Sequence, residues 1–173
     1  MPFLYFPTEN DSIIMTMFLV TYSLLIDINT SFRLQLFTGI QYVRERTMKD
    51  QNKPITSLSW RKMQVNIKGE EYDFKDCKIW PEGASGWDWN LTGTSHETGI
   101  QPDDIKDILE HDIEVMVLSR GFDLKMKVSP ATETLLRSLG IEYHIHDTQK
   151  AAELFNNLTQ QGKRAGGIFH STC

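Results

Sequence analysis

Apolar and polar residues alternate along the middle of the chain with the period of two that is typical of β-strands. The alternation covers residues 63–67 and 72–74, and Gly69 stands between the two runs. Two alternating runs around a glycine predict a β-hairpin. The apolar positions change parity after the second run, so we expect a bulge or a strand break near residues 75–76.

The second half of the chain has apolar residues at helical spacing, bounded by residues that start and stop helices. Pro102 suits a first helical position, and Ser129 and Asp147 suit N-caps. Gly140 and Gly162 suit the left-handed residue that follows a helix. These signals predict three helices, over about residues 102–111, 130–139 and 148–161.

An apolar segment follows each of these three helices. Residues 113–118 are almost continuously apolar, which is typical of a strand covered on both faces, and we expect this strand at the centre of the sheet. Residues 141–145 alternate, and residues 165–170 supply a last strand. A β-α-β-α-β order with right-handed crossovers predicts a largely parallel sheet, to which the hairpin adds an antiparallel part. The predicted fold class is mixed α/β.

Residues 78–104 do not follow either period. They hold three of the four tryptophans and four glycines. The density of tryptophan argues against disorder, so this stretch is predicted to be an ordered, functional loop. Trp87-Asp88-Trp89 is interpreted as a short strand with both indoles on one face. The indoles either cap the edge of a core or form the wall of an aromatic pocket, with Asp88 and His96 nearby.

Ligands of α/β proteins collect beyond the carboxyl ends of the strands, here residues 119–121, 146–147 and 170–171. Arg120 beside Gly121 is either a clamp for an anion or carboxylate or a member of an ordinary ion pair. Combined with the Trp-rich stretch, these positions define a predicted ligand or partner cleft, made of Trp87, Asp88, Trp89, His96, Arg120, Gly121 and His170.

The sequence offers little for metal binding or catalysis. His144 and His146 share one face of a strand at a spacing that zinc sites use, but no third ligand is evident, so we predict neither a metal nor a cofactor. Cys173 would need a lowered pKa to act as a nucleophile, and Ser171 lacks the strained strand-to-helix turn of a catalytic serine. No catalytic motif is assembled, and we predict that the protein is not an enzyme.

Gly166 and Gly167 stand where a strand normally carries β-branched residues. We expect part of the Trp-rich stretch to pass close above them. We also expect His170 to emerge from the end of this strand, so that His170→Ala would leave stability nearly intact.

Composition narrows the class of partner. The 173 residues carry a net charge of −5, with a pI near 5.5, which argues against nucleic acid or an anionic membrane as the main partner. The two cysteines form no disulfide framework and fit a reducing compartment. We therefore expect a protein partner of unknown identity, and a monomer or weak homo-oligomer.

The N-terminal part of the chain is predicted to lie outside the domain. Residues 12–26 carry no charge, but the run is shorter than the roughly 20 residues that span a bilayer and contains several hydroxyls. Acidic residues precede it, the reverse of a secretory signal. Residues 1–47 are interpreted as an extension outside the fold, and residues 48–173 as one α/β domain.

Several motifs together resemble the adipogenesis-associated Mth-domain-containing protein family. They are Asp76-Cys77-Lys78-Ile79-Trp80-Pro81, Trp87-Asp88-Trp89, Thr92-Gly93-Thr94 with His96, Gly99-Ile100-Gln101-Pro102, and the tail Gly166-Gly167-Ile168-Phe169-His170-Ser171-Thr172-Cys173. The resemblance covers residues 57–173. Ser119 departs from it, since the family has glycine before Arg120-Gly121, and His144 and His146 are not family histidines.

The resemblance implies a three-layer mixed α/β Mth-type domain, cytoplasmic, associated with fat-cell differentiation and without established enzymatic activity. The family is distantly similar to an assembly factor of mitochondrial respiratory complex I. Our first hypothesis is therefore a non-enzymatic regulatory or interaction domain in the cytoplasm. The alternatives are a small-molecule binder or enzyme with a cleft at the strand ends, and a mitochondrial complex I assembly factor.

Overall fold

The computed structural model describes residues 35–41 and 53–173. The chain divides into two compact units, residues 1–50 and 51–173. In the first unit, helix α1 covers residues 35–41 and exposes Leu36, Phe37 and Ile40. The uncharged run at residues 12–26 and the boundary that we predict at residues 47–48 lie outside the described residues.

The second unit begins with a three-stranded antiparallel sheet in the order β1-β2-β3. Its strands are β1 (Ile55–Ser59), β2 (Lys62–Ile67) and β3 (Glu70–Phe74). Lys68 and Gly69, with φ of 54° and 90°, form the two-residue turn between β2 and β3. The predicted hairpin is confirmed, and the predicted strand break falls between β3 and the next strand.

A second, mixed sheet of five strands has the order β5-β4-β8-β6-β7. Its members are β4 (Cys77–Trp80), β5 (Gly83–Gly86), β6 (Val115–Ser119), β7 (Glu142–His146) and β8 (Ala165–Phe169). Strands β8, β6 and β7 are parallel, and β4 is antiparallel to both of its neighbours. The mixed α/β class is confirmed.

The prediction that the strand at residues 113–118 lies at the centre of the sheet is wrong. Strand β8 occupies the middle of this sheet, and β6 lies beside it. All five residues of β8 are buried. Gly166 and Gly167 leave room for side chains from both covering layers: an added Cβ at Gly166 would overlap Ile108, and one at Gly167 would overlap Phe169 and lie 3.2 Å from Phe155. The Trp-rich stretch therefore does not cover these glycines, contrary to our expectation.

The helices α2 (Pro102–Leu109), α3 (Pro130–Ser138) and α4 (Thr148–Gln160) complete a three-layer domain. Helix α4 and the first sheet cover one face of the mixed sheet, and α2 and α3 cover the other. In β6, Val115 and Val117 face the first layer while Met116 and Leu118 face the second, so the strand is buried on both faces as predicted.

The predicted helix caps are confirmed. Ser129 Oγ accepts a hydrogen bond from the Thr132 peptide N–H at 3.2 Å, and Asp147 Oδ1 accepts one from Lys150 at 3.0 Å. The interpretation of Trp87-Asp88-Trp89 as a strand is wrong. Strand β5 ends before it, and Asp88 instead caps a short 3₁₀-helix, Trp89–Thr92, by accepting from the Asn90 peptide N–H.

Candidate functional site

The Trp-rich loop is held in place by the buried carboxylate of Asp104, in the first turn of α2. Trp87 Nε1 and Thr92 Oγ1 donate to Asp104 Oδ1, at 2.8 and 2.6 Å. Thr94 Oγ1 donates to Oδ2, as does the Gln101 peptide N–H at 2.8 Å. Both carboxylate oxygens are thus occupied, and the loop is folded around one side chain that is fully buried.

Four of the seven predicted cleft residues come together beyond the end of β8. The ring centroid of His170 lies 5.6 Å from that of His96, 5.8 Å from Trp89 and 6.4 Å from Trp87. Trp89 and His96 are also neighbours, with centroids 5.6 Å apart. The loop folded around Asp104 therefore delivers its aromatic rings to the end of the central strand.

Asp88 and Arg120 lie apart from this group and have roles in their own loops. Asp88 is exposed and caps the 3₁₀-helix. Arg120 Nε donates to the Met126 carbonyl and Nη2 to the Leu124 carbonyl, both at 2.7 Å. The guanidinium thus braces the loop that follows β6.

Gly121 positions the C-terminal tail. Its φ is 86°, and an added Cβ would overlap the carbonyl oxygen of Cys173. The next peptide N–H, of Phe122, donates to the Thr172 carbonyl at 2.7 Å. The glycine is needed here because the tail passes directly against the backbone of this loop.

His170 directly follows the carboxyl end of β8, where we expected it, but it is buried, with only 1% of its surface exposed. Its Nδ1 lies 3.2 Å from Asp76 Oδ1, and its Nε2 lies 2.9 Å from Thr172 Oγ1. Among the described residues, Nδ1 finds no hydrogen-bond partner of good geometry, so its contact with Asp76 is mainly electrostatic. Replacing His170 with alanine would leave the buried carboxylate without this neighbour.

Asp76 is the anionic member of the site and is itself buried. Burial opposes its ionisation, but the His170 ring, the Ser171 peptide N–H at 2.7 Å and the charge of Lys75 outweigh it and lower the pKa of Asp76 below its ordinary value. A negative charge is therefore held behind the buried imidazole.

Cys173 completes the cluster. Its Sγ lies 3.3 Å from His96 Nε2, and both side chains are partly exposed. Sequence reasoning missed Cys173 and Asp76 as site residues. Two signals in the sequence were available. Cys173 follows His170 by only three residues, and Asp76 belongs to a motif that carries the family resemblance.

A family model of proteins of unknown function, DUF498/DUF598, matches residues 55–170, about two thirds of the chain. The chain belongs to this family. The match covers every strand of both sheets and all of the site up to His170.

Solved structures agree with this DUF498/DUF598 assignment. A conserved hypothetical protein from Pyrococcus horikoshii OT3 is 22% identical, with a TM-score of 0.56 over 69% of this chain and 98% of its own. The protein MT938 is 17% identical (TM-score 0.54, 69% and 97%). A protein described as an outer membrane protein from Bartonella henselae is 18% identical (TM-score 0.57, 70% and 97%). At these identities the likeness shows that the fold is shared.

The described residues are also informative about membrane-spanning helices and about groups of metal-ligand side chains. No helix within residues 35–41 and 53–173 is long and apolar enough to cross a bilayer. His144 and His146 stack on β7 with centroids 6.3 Å apart, and Glu142 Oε1 lies 3.0 Å from His144 Nε2. In the described part of the chain, these side chains do not form a group of three closely spaced ligand atoms. The one group of three nitrogen, sulfur or carboxylate ligands in the described part of the chain is His96, His170 and Cys173.

Proposed function

We propose that this DUF498/DUF598 protein is a non-enzymatic regulatory domain that acts by binding a protein partner. The resemblance to the adipogenesis-associated family suggests that the process it regulates is fat-cell differentiation. The observation that carries the proposal is an apolar surface, which we call the Trp60 patch. It is made of exposed Trp60, the half-buried Phe122 on which it stacks, and exposed Leu124 two residues further along the same loop.

The Trp60 patch has the composition of a binding hot spot. Trp60 is 57% exposed and stacks on Phe122 with ring centroids 6.1 Å apart, and Leu124 is 44% exposed. Exposed tryptophan beside other large apolar side chains is enriched at the centre of protein interfaces. A monomer has no need to leave these rings in water.

The patch is also held rigidly. Trp60 lies in the turn between β1 and β2, where the Arg61 peptide N–H donates to the Ser171 carbonyl at 2.8 Å. Phe122 lies in the loop after β6, where its own N–H donates to Thr172. Both loops are therefore fastened to the same tail, and a preorganised surface loses less conformational entropy when a partner binds.

Quantitative co-purification from differentiating fat-cell precursors tests the proposal. Tagged Trp60→Ala and Phe122→Ala chains should lose recovery of a specific partner by about tenfold or more, the equivalent of roughly 1.4 kcal/mol. Leu139→Ala is the matched control, because Leu139 is 53% exposed but sits at the end of α3. Equal recovery with all three variants would contradict the proposal.

We place this activity in the cytoplasm, with a mitochondrial complex I assembly role as the alternative. Fractionation of the tagged full-length chain separates the two. Recovery of a shortened product in mitochondria would favour the assembly role.

A second candidate is a small-molecule binder, supported by a cavity of about 710 Å³. Ile79, Trp80 and Phe155 supply apolar walls, and Lys68 supplies positive charge. Arg164 also lines the cavity, but its guanidinium is already paired with Glu82 and Asp112. The cavity also touches Ala165, so it lies at the beginning of β8 and not at the strand ends where we predicted a cleft. Its chemistry suits a small organic anion.

A thermal-shift screen of small carboxylates and phosphates tests this candidate. A ligand of the cavity should raise the Tm of the wild-type chain and of Trp60→Ala, but not of Lys68→Glu. A shift that Lys68→Glu retains would place the ligand elsewhere.

A further inference from the structure

Three side chains from separate parts of the sequence bring metal-binding atoms together at the end of β8. The ligand atoms of His96, His170 and Cys173 all lie within 4.8 Å of one another. His96 comes from the loop folded around Asp104, His170 follows the central strand, and Cys173 lies in the tail that packs on Gly121. We propose that these three residues bind a zinc ion.

The distances suit zinc. Zinc binds histidine nitrogen at about 2.0–2.1 Å and thiolate sulfur at about 2.3 Å, so tetrahedral ligand atoms stand about 3.5 Å apart. Cys173 Sγ and His96 Nε2 are already 3.3 Å apart. The remaining separations are at most 4.8 Å and need to close by up to about 1.3 Å. The two partly exposed side chains, His96 and Cys173, can supply that movement.

The donor types also select the metal. Two imidazoles and a thiolate form a borderline-soft set that zinc favours, whereas calcium and magnesium require oxygen ligands. This set matches the three protein ligands that zinc takes when one coordination position is left for a water or another molecule. The fourth position would face the side from which His96 and Cys173 are partly exposed.

The carboxylate of Asp76 lies behind the buried imidazole, in contact with its Nδ1. With Asp76 Oδ1 3.2 Å from Nδ1 of His170, Nε2 is the nitrogen left for the metal. A carboxylate behind a ligating histidine is the usual arrangement in zinc sites, since it fixes the ring and raises its basicity. The nitrogen Nε2 now contacts Thr172 Oγ1, a hydroxyl that can rotate away.

The proposal stands apart from the proposed function, because none of the three ligands belongs to the Trp60 patch. A bound zinc would link the Trp-rich loop to the C-terminal tail. It would explain why a buried histidine, a buried carboxylate and a partly exposed thiol are assembled where no catalytic motif exists.

Calorimetric titration of the reduced, chelator-treated full chain with zinc chloride tests the proposal. We expect one zinc per chain. His96→Gln and Cys173→Ser should each lose more affinity than the roughly 10–100-fold that removal of an outer carboxylate costs, and Asp76→Asn should fall within that 10–100-fold range. Cobalt(II) as a probe should give thiolate-to-metal charge-transfer absorption in the wild type and not in Cys173→Ser.

The paired variant His144→Asn with His146→Asn is the matched control, because these two histidines are exposed enough to bind metal on the surface of β7. It should retain wild-type affinity. Circular dichroism checks that each variant is folded. If one variant is not folded, the cobalt spectrum of the wild type still shows whether a thiolate binds the metal. Wild-type affinity in His96→Gln and Cys173→Ser, loss in the control, or no binding by the folded wild type would each overturn the site.

Discussion

The carboxylate of Asp104 and the His96–His170–Cys173 cluster are neighbouring polar groups that differ in how fully they are satisfied. Trp87 connects them, because its Nε1 donates to Asp104 and its ring meets His170 edge-on. Asp104 is surrounded by donors, as a carboxylate that can only accept requires. The cluster has two imidazoles and a thiol with few mutual hydrogen bonds, and the carboxylate of Asp76 lies beside it.

The difference separates a structural role from a binding role. A buried polar group with all partners present fixes one conformation, and its removal exposes several unpaired groups at once. A buried group with spare ligand capacity gains little stability from its surroundings and can bind something else. Asp104 therefore builds the fold around the loop, whereas the cluster is the place where a ligand can act.

The largest expected effect comes from Asp104→Ala. The change leaves the Trp87 indole N–H without its acceptor, at about 1–3 kcal/mol, and adds a cavity. It also removes the nearer of the two acceptors of the Gln101 peptide N–H, the other being Thr94 Oγ1. We expect a loss of about 3–5 kcal/mol in the free energy of unfolding, measured by urea denaturation.

Asp103→Ala is the control for this substitution. Asp103 lies in the same helical turn but is 62% exposed and pairs with Lys106 on the surface. Its loss should cost less than about 1 kcal/mol. Similar losses for both variants would show that the helix terminus, and not the buried network, holds the loop.

An intermediate loss of stability is expected from Gly121→Ala, which disturbs the contact between Gly121 and the tail that carries Cys173. Alanine at this position carries the strain of a positive φ and collides with the Cys173 carbonyl. Gly162→Ala has a similar φ of 81° but open space around it, so it measures the backbone strain alone.

Urea denaturation should show Gly121→Ala to be less stable than Gly162→Ala by about 1–3 kcal/mol, the usual cost of overpacking. Equal losses would mean that the tail moves aside freely, and that the cluster is not held in place by this contact.

The local features of this fold could be predicted from the sequence because they depend on neighbouring residues. The turn at Gly69 and the caps at Ser129 and Asp147 all formed as their residue types indicate. The order of the strands depends on contacts between distant segments. The pairing of β8 with both β4 and β6 is invisible to any short window of sequence, so the identity of the central strand was missed.

The candidate site divides in the same way. Trp87, Trp89, His96 and His170 could be predicted to meet because the motif and the strand end both point to one edge of the sheet. Asp76 and Cys173 were missed, since their contacts join residues 76 with 171 and 96 with 173, which lie far apart in the sequence. The role of Asp104 was also missed, because nothing local reveals the four donors that surround it.

The smallest effect, and the sharpest test of the comparison, is expected from His96→Gln without metal. His96 is partly exposed, and its ring contacts are with Trp89, His170 and the thiol of Cys173, so the free energy of unfolding should fall by less than about 1 kcal/mol. Zinc at one hundred times its dissociation constant should stabilise the wild type by about 2.7 kcal/mol, because it binds only the folded chain, and should stabilise His96→Gln far less. Urea denaturation with and without zinc measures both the metal-free loss of stability and the stabilisation by zinc. A metal-free loss as large as that of Asp104→Ala would show that the cluster, like Asp104, serves the fold.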